Sequence, residues 1–236
     1  MSRKVVAILG TYRRGGTIDT AVEAILEGAR AKQATTRTIY LTDHHLEFCT
    51  NCRRCAQEPG PERGRCRHQD DLELILTEIE TADAVVLASP VNIGNTTAIF
   101  RRFMERLTGY AYWPWGQSAP EPRTRVQTLK AVLVASSAAP GFLIPLFSGT
   151  SAALRRTAKV LGAKPVASLW IGLTAREAHH TLPAGVLARG ATDWDEAGVG
   201  GARSVDRSIH LASEKRANSA PHDQRSWSPT LSAERS

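Results

Sequence analysis

The chain has 236 residues, enough for one domain of ordinary size plus an appendage, and its 42% hydrophobic and 22% charged residues exclude a fibrous or wholly disordered protein. The formal charge of +7 is split into short groups: Arg13 with Arg14, the stretch from Arg53 to Arg67, and Arg101, Arg102 and Arg106, each mixed with acidic residues. That distribution speaks against a groove that tracks a nucleic-acid backbone, and for local phosphate contacts or solvated faces.

Taken in chain order, Arg3 and Lys4 precede only the short run Val5 to Gly10, less than the roughly 7 to 15 apolar residues of a signal segment. A cytoplasmic protein that does not engage a membrane is therefore expected. Val5 to Leu9 reads as a strand, Gly10, Gly15 and Gly16 as a loop, and Ile18 to Ala31 as a helix by its apolar spacing. Thr36 to Leu41 is β-branched and strand-like, Leu72 to Ile79 helical, and Ala84 to Ala88 a fully apolar strand ending at Ser89-Pro90. A helix is expected from Thr97 to Leu107, a strand from Ala131 to Ala135, a helix from Ser151 to Leu161, a strand from Val166 to Ile171, and a last helix from about Ala175. The charge-free stretch Ala131 to Leu154 is too polar and too broken by Pro and Gly to span a membrane.

Short apolar strands alternating with helices require parallel pairing with both sheet faces covered. The expected fold is α/β: a flavodoxin-like three-layer sandwich with a five-stranded parallel sheet. It spans residues 1–188, with a cysteine-rich loop inserted at 43–70. From Arg189 onward apolar periodicity fades and seven basic residues balance seven acidic ones, so residues 189–236 read as a disordered, low-complexity tail.

In such a sheet, ligands bind where strand carboxyl ends meet helix N-termini, because unpaired N–H groups there favour anions. Gly10-Thr11-Tyr12-Arg13-Arg14-Gly15-Gly16-Thr17 supplies hydroxyls at Thr11 and Thr17, permissive backbone at Gly15, and two cations, Arg13 and Arg14, either of which could meet a phosphate. It nearly spells the P-loop, but Gly16 stands at the lysine position, and no G-x-G-x-x-G follows the first strand. A monophosphate such as that of FMN fits best; a plain glycine turn is the ligand-free alternative.

Cys49, Cys52, Cys55 and Cys66 are the four cysteines of the chain, spaced C-x2-C-x2-C-x10-C. Thiolates two residues apart can converge on one centre, as in the runs that hold a [4Fe–4S] cluster. Zinc on four thiolates is chemically allowed, although the spacing is not that of a paired zinc ribbon, and disulfides are disfavoured in a reducing compartment. Asp70 and Asp71 read as helix N-capping residues. Neighbouring His179 and His180 point to different sides of a helix and suit surface roles. The aromatic run Tyr110-Ala111-Tyr112-Trp113-Pro114-Trp115 is either a flavin rim or dimer contact, or a loop folded on its own core.

From Val5 to Leu173 the chain resembles the NADPH-dependent FMN reductase and iron–sulfur flavoprotein group of the flavodoxin superfamily. The resemblance is carried by the Gly10 to Thr20 loop, the Cys49 to Cys55 loop, Gly64-Arg65-Cys66 with Asp70-Asp71, and Ser89-Pro90-Val91-Asn92-Ile93-Gly94-Asn95. It implies a flavin ring lying between backbone amides of Pro90 to Gly94 and the loop beginning Ser136-Ser137, with Asn92 where the group often has an aromatic. It also implies hydride from NAD(P)H, and an acceptor that is a quinone, a free flavin, a metal ion or a redox protein. A cluster passing single electrons to or from FMN and assembly as a homodimer or homotetramer complete the set. The alternative is a zinc-stabilised flavodoxin-like interaction module without redox activity.

Overall fold

The computed structural model describes residues 3–123, 129–174 and 182 and the strand Ser208–Leu211. The order is β1 (Lys4–Leu9), α1 (Thr17–Ala31), β2 (Thr35–Tyr40), α2 (Leu72–Glu80), β3 (Ala84–Pro90), α3 (Ala98–Glu105), a short hairpin of β4 (Ala111–Tyr112) and β5 (Glu121–Pro122), β6 (Leu129–Ser136), α4 (Ile144–Phe147), α5 (Gly149–Val160), β7 (Ala163–Ile171) and β8 (Ser208–Leu211). The main sheet runs β2-β1-β3-β6-β7-β8, every neighbouring pair parallel. Its first five strands have the doubly wound order expected of a flavodoxin-like fold, with the chain reversing direction across the sheet between β1 and β3.

The near-continuous apolar strands are explained by what lies on each face. Val6 and Ile8 of β1, Val85 and Leu87 of β3, and Leu133 of β6 point into one core with Leu72, Ile75, Leu76 and Ile79 of α2, Phe100 and Phe103 of α3, and Leu154 of α5. The alternate residues Val5, Ala7 and Leu9, Val86, and Val132 and Val134 face the other core with Ile18, Val22, Ile25 and Leu26 of α1 and the isolated Leu182. Because strand side chains alternate with period two, a strand buried on both faces must be apolar throughout.

Two features depart from the sequence expectation. Within the stretch read as a disordered tail, Ser208–Leu211 pairs with Ser168 to Ile171 of β7, so the described sheet has six strands. The rest of that stretch, the helix expected near Ala175 and the pair His179 and His180 lie outside the described residues. The helix expected to reach Leu107 stops at Glu105 and tightens into a 3-10 turn from Arg106 to Tyr110. The reason is close packing: the Gly109 carbonyl accepts the Gly64 N–H at 2.9 Å, and a Cβ on Gly109 would stand 2.3 Å from the Gly64 carbonyl oxygen.

No described helix is long and apolar enough to cross a membrane.

Candidate functional site

The parallel order places the carboxyl ends of β1, β3 and β6 side by side, with Leu9 opposite Ala88 and Pro90 opposite Ser136. Three of the loops singled out in the sequence therefore meet at one edge of the sheet. They are also bonded to one another. The Gly10 N–H donates to Ala88 at 2.8 Å, Val91 N–H to the Ser136 carbonyl at 2.8 Å, and the buried Thr97 hydroxyl to the Gly10 carbonyl at 2.5 Å.

In the first loop, Gly15 has φ of +65° and Gly16 caps α1 without any side chain to offer its first-turn amides. Such an uncapped helix end is an anion site, since its N–H groups are unsatisfied and the helix dipole favours negative charge. Thr17 opens α1 and the aliphatic stem of Arg13 packs on Gly16, so both border that end. Thr11 is buried, and its hydroxyl is turned onto the backbone of Arg13, accepting the N–H at 3.2 Å. Arg14 is directed elsewhere: it pairs with Asp43 and stacks over the Tyr40 ring at 3.9 Å. The Gly15 N–H donates to the Asp19 carboxylate at 2.6 Å, and Tyr40 donates its hydroxyl to the other Asp19 oxygen. A carboxylate thus holds one of the amides that a phosphate would use.

The second loop is a tight reverse turn in which Asn92 and Asn95 exchange backbone bonds at 2.8 and 3.0 Å. Both central residues, Ile93 and Gly94, lie at positive φ, 47° and 72°. For a β-branched residue this is a strained conformation, of a kind that gathers at ligand clamps. The Ile93 side chain is fully exposed, and the turn is anchored by Gly149 N–H on the Gly94 carbonyl at 2.7 Å. Asn92, which stands where the resembling group often has an aromatic, is a turn residue rather than an aromatic wall. In the third loop Ser137 N–H donates to Ile171 at 2.8 Å, while the Ser137 hydroxyl accepts the Ala139 N–H at 3.0 Å.

The cysteine loop lies elsewhere, against α3 and the segment from Arg106 to Trp115. Arg102 donates to the Leu46 carbonyl and stacks over Phe48, and Trp113 N–H donates to Ala56 at 2.8 Å. All four thiols are free and partly exposed. Burial first, and then the neighbouring Cys66, Cys49 and Cys52, push the Cys55 thiol up to about 11. Cys52 is lowered instead, chiefly by the backbone N–H of Arg54 and further by the Thr50 hydroxyl. Left-handed Asn51 and Arg53, φ 52° and 54°, curl the backbone around it. Among the described residues no three His, Cys, Asp or Glu side chains are grouped tightly enough for a single ion. Tetrahedral zinc, with sulfur ligands about 2.3 Å from the metal, needs such a group.

Arg54, Arg65 and Arg67 are exposed, as the solvated-face reading expects, but four other arginines of this region are held by the protein itself. Arg53 is held between Trp113 and Trp115, 3.7 and 4.4 Å from the two rings, and donates to the Trp113 and Pro114 carbonyls. Arg123 stitches the loop closed by donating to the carbonyls of Cys55, Glu58, Gly60, Gly109 and Ala111. Arg63 is bound by Glu73 and Glu80. Arg106 is buried with Asp70. The aromatic run therefore covers the cysteine loop of its own chain, where cation–π stacking fixes it. Nor are Asp70 and Asp71 simple caps. Asp70 accepts the Leu72 N–H at 3.2 Å but also binds Arg106, and Asp71 accepts from His45 at 2.8 Å. No sequence periodicity marks these arginine contacts; only the abundance of Arg beside Gly-rich turns hints at them.

The fold is that of a flavodoxin-like α/β protein. Residues 3–141 match the NADPH-dependent FMN reductase family, and the chain belongs to it. It is 30% identical over 111 residues to an iron-sulfur flavoprotein of Archaeoglobus fulgidus, covering 47% of this chain and 48% of that one. An iron-sulfur flavoprotein of Methanocaldococcus jannaschii is 32% identical over 103 residues, 44% of this chain and 51% of the relative. The chain thus spans about half the length of the curated relatives it matches. Among solved structures, the NAD(P)H:quinone oxidoreductase from Methanothermobacter marburgensis superposes with a TM-score of 0.54 at 17% identity, over 86% of this chain and 98% of that one. That likeness concerns the fold.

Proposed function

We propose that this protein is an FMN-dependent NAD(P)H oxidoreductase of the flavin or quinone reductase type, cytoplasmic, acting as a homodimer or homotetramer on a small-molecule acceptor or redox protein. The observation that carries the reading is the meeting of three loops at the carboxyl ends of β1, β3 and β6, one of them opening onto the uncapped N-terminus of α1. When bound, FMN supplies the chemistry, taking hydride from a reduced nicotinamide and delivering electrons singly or in pairs.

The residues do the holding. The backbone amides around Gly15 to Thr17, with Thr11, Thr17 and Arg13 beside them, would receive the phosphate. Backbone from Pro90 to Gly94, on one side, and Ser136 and Ser137 on the other would border the ring. Backbone donors keep their protonation at any working pH, so they stabilise an electron-rich ring without adding a titrating group. Cys49, Cys52, Cys55 and Cys66 would hold a [4Fe–4S] cluster, a reading supported by their spacing within one loop and by the names of the archaeal relatives.

Anaerobic purification followed by absorption spectroscopy and metal analysis tests both parts. A yellow protein that releases FMN on denaturation, and rebinds it at micromolar levels, is the expected result. Brown absorbance bleached by dithionite, with iron and acid-labile sulfide, is expected for the cysteine loop. A chain that neither copurifies with FMN nor rebinds it overturns the enzyme reading; zinc without iron or sulfide overturns the cluster.

A further inference from the structure

The carboxylate of Asp19 stands where the first loop enters α1, and two other segments close on it. One oxygen accepts the Gly15 N–H at 2.6 Å, and the other accepts the Tyr40 hydroxyl. The Arg14 guanidinium covers the Tyr40 ring at 3.9 Å and is itself held by Asp43, just after β2. An acid three residues into a helix ordinarily turns back to the N–H of the capping residue. Asp19 reaches one residue further, to an amide of the loop itself, and Gly16 at the cap has no side chain to offer in its place.

Asp19 is also the first of three carboxylates, with Glu23 and Glu27, that line a groove of about 630 Å³ beside Gly15 and Tyr40. Residues four apart share a helix face, so the row sets negative charge next to the loop. Glu23 is offset by its pair with Arg30. Glu27 lies eight residues on, about 12 Å along the helix axis, where salt screens most of its effect. Asp19 is the member of the row that is bonded to the loop. A phosphate that uses the Gly15 amide must displace this carboxylate or share its donor, and the two anions repel each other. A flavin without the phosphate meets no such cost.

We propose that Asp19 is a specificity-determining residue of the first loop: it withholds the Gly15 amide from the phosphate and so reduces the preference for FMN over unphosphorylated riboflavin. Tyr40 holds the carboxylate in this position. The inference rests on the flavin reading above and deepens it.

The test is a fluorescence titration of the full chain, stripped of any bound flavin, with FMN and with riboflavin in parallel. Wild type is compared with Asp19→Asn, Asp19→Ala and Glu27→Gln. Asp19→Ala is expected to tighten FMN about tenfold, because it removes the charge and frees the amide, while riboflavin changes by less than about twofold. Asp19→Asn removes the charge but keeps an acceptor for the amide, so its gain should be smaller, about threefold. Glu27→Gln should leave the ratio of the two affinities within about twofold of wild type. A carboxylate that only braced the loop would give the opposite sign, since a loosened loop binds FMN more weakly. Weaker or unchanged FMN binding in both Asp19 variants, equal gains for FMN and riboflavin, or a gain that Glu27→Gln matches overturns the proposal. If Asp19→Ala fails to fold, Asp19→Asn must still raise the ratio of FMN to riboflavin affinity, and an unchanged or lower ratio overturns it. Wild type and variants that all bind neither flavin defeat the flavin reading itself, and this assignment with it.

Discussion

The Thr97 hydroxyl reaches across 87 residues of sequence to donate to the Gly10 carbonyl at 2.5 Å. The same oxygen accepts the Phe100 N–H at 3.3 Å and so caps α3, while Thr97 N–H donates to the Ser89 hydroxyl. One buried side chain thus ties the first loop to the second. Thr97→Ala is expected to lower stability by about 1–2 kcal/mol, the size of a lost cap, and to weaken FMN binding by loosening both loops. Thr97→Ser should retain most of both. Urea unfolding and a flavin fluorescence titration check this.

Gly64 tests whether the two sites are separable. A Cβ there would stand 1.8 Å from the Cys55 carbonyl oxygen, which no rotamer can relieve because the clash is with backbone. Gly64→Ala should therefore abolish iron uptake while leaving FMN binding within about twofold, since Cys55, Gly109 and Arg123, which surround Gly64, all belong to the cysteine loop and the segments packed on it. Parallel iron analysis and FMN titration of the variant decide the matter.

Arg123 donates to five carbonyls that span the loop and the hairpin. Charge-assisted bonds of this kind are worth about 1.5–3 kcal/mol each when buried, less where water competes. Arg123→Ala should expose the segment around Glu58 to Gly60 to limited proteolysis, and Arg123→Lys should rescue little, because an ammonium lacks the fork that reaches several carbonyls at once. Cleavage sites mapped by mass spectrometry give the answer.

Tyr40 provides a pH-dependent readout of the first loop. Burial, and then its bond to Asp19, push the phenol from 10.0 up to about 12. A folded value above the unfolded one means that the phenol's contribution to stability is complete below pH 10 and is lost as pH rises through about 12. The difference in urea midpoint between wild type and Tyr40→Phe should be flat from about pH 7 to 9 and shrink above pH 10. Tyr40→Phe also removes one of the two bonds that hold Asp19 in place on the Gly15 amide, so FMN affinity should change as well.

Much of the sheet was legible in the sequence because its information is local. Val5 to Leu9, Ala84 to Ala88 and Ala131 to Ala135 are apolar on both faces, and only a sheet covered by helices on both sides buries such runs. The first loop was legible for the same reason, as its glycines and hydroxyls stand together immediately before a helix. Arg106 and Arg123 were not legible. Their partners lie from about a dozen to nearly 70 residues away, and a charged side chain carries no periodic signal of what it will meet. The turn at Ile93 was equally hidden, since a β-branched residue gives no sequence warning that its backbone will be left-handed.

Periodicity and glycine placement by themselves determined the layered α/β fold and the glycine loop before α1, and spacing put the four thiols in one loop. Tertiary structure alone decided that Arg53, Arg106 and Arg123, with Trp113 and Trp115, brace the cysteine loop, and that Asp19 already occupies an amide of the first loop. Burial is the physical reason: a charge is held in the interior only where several distant chain segments converge to satisfy it, and that convergence exists only once the chain has folded.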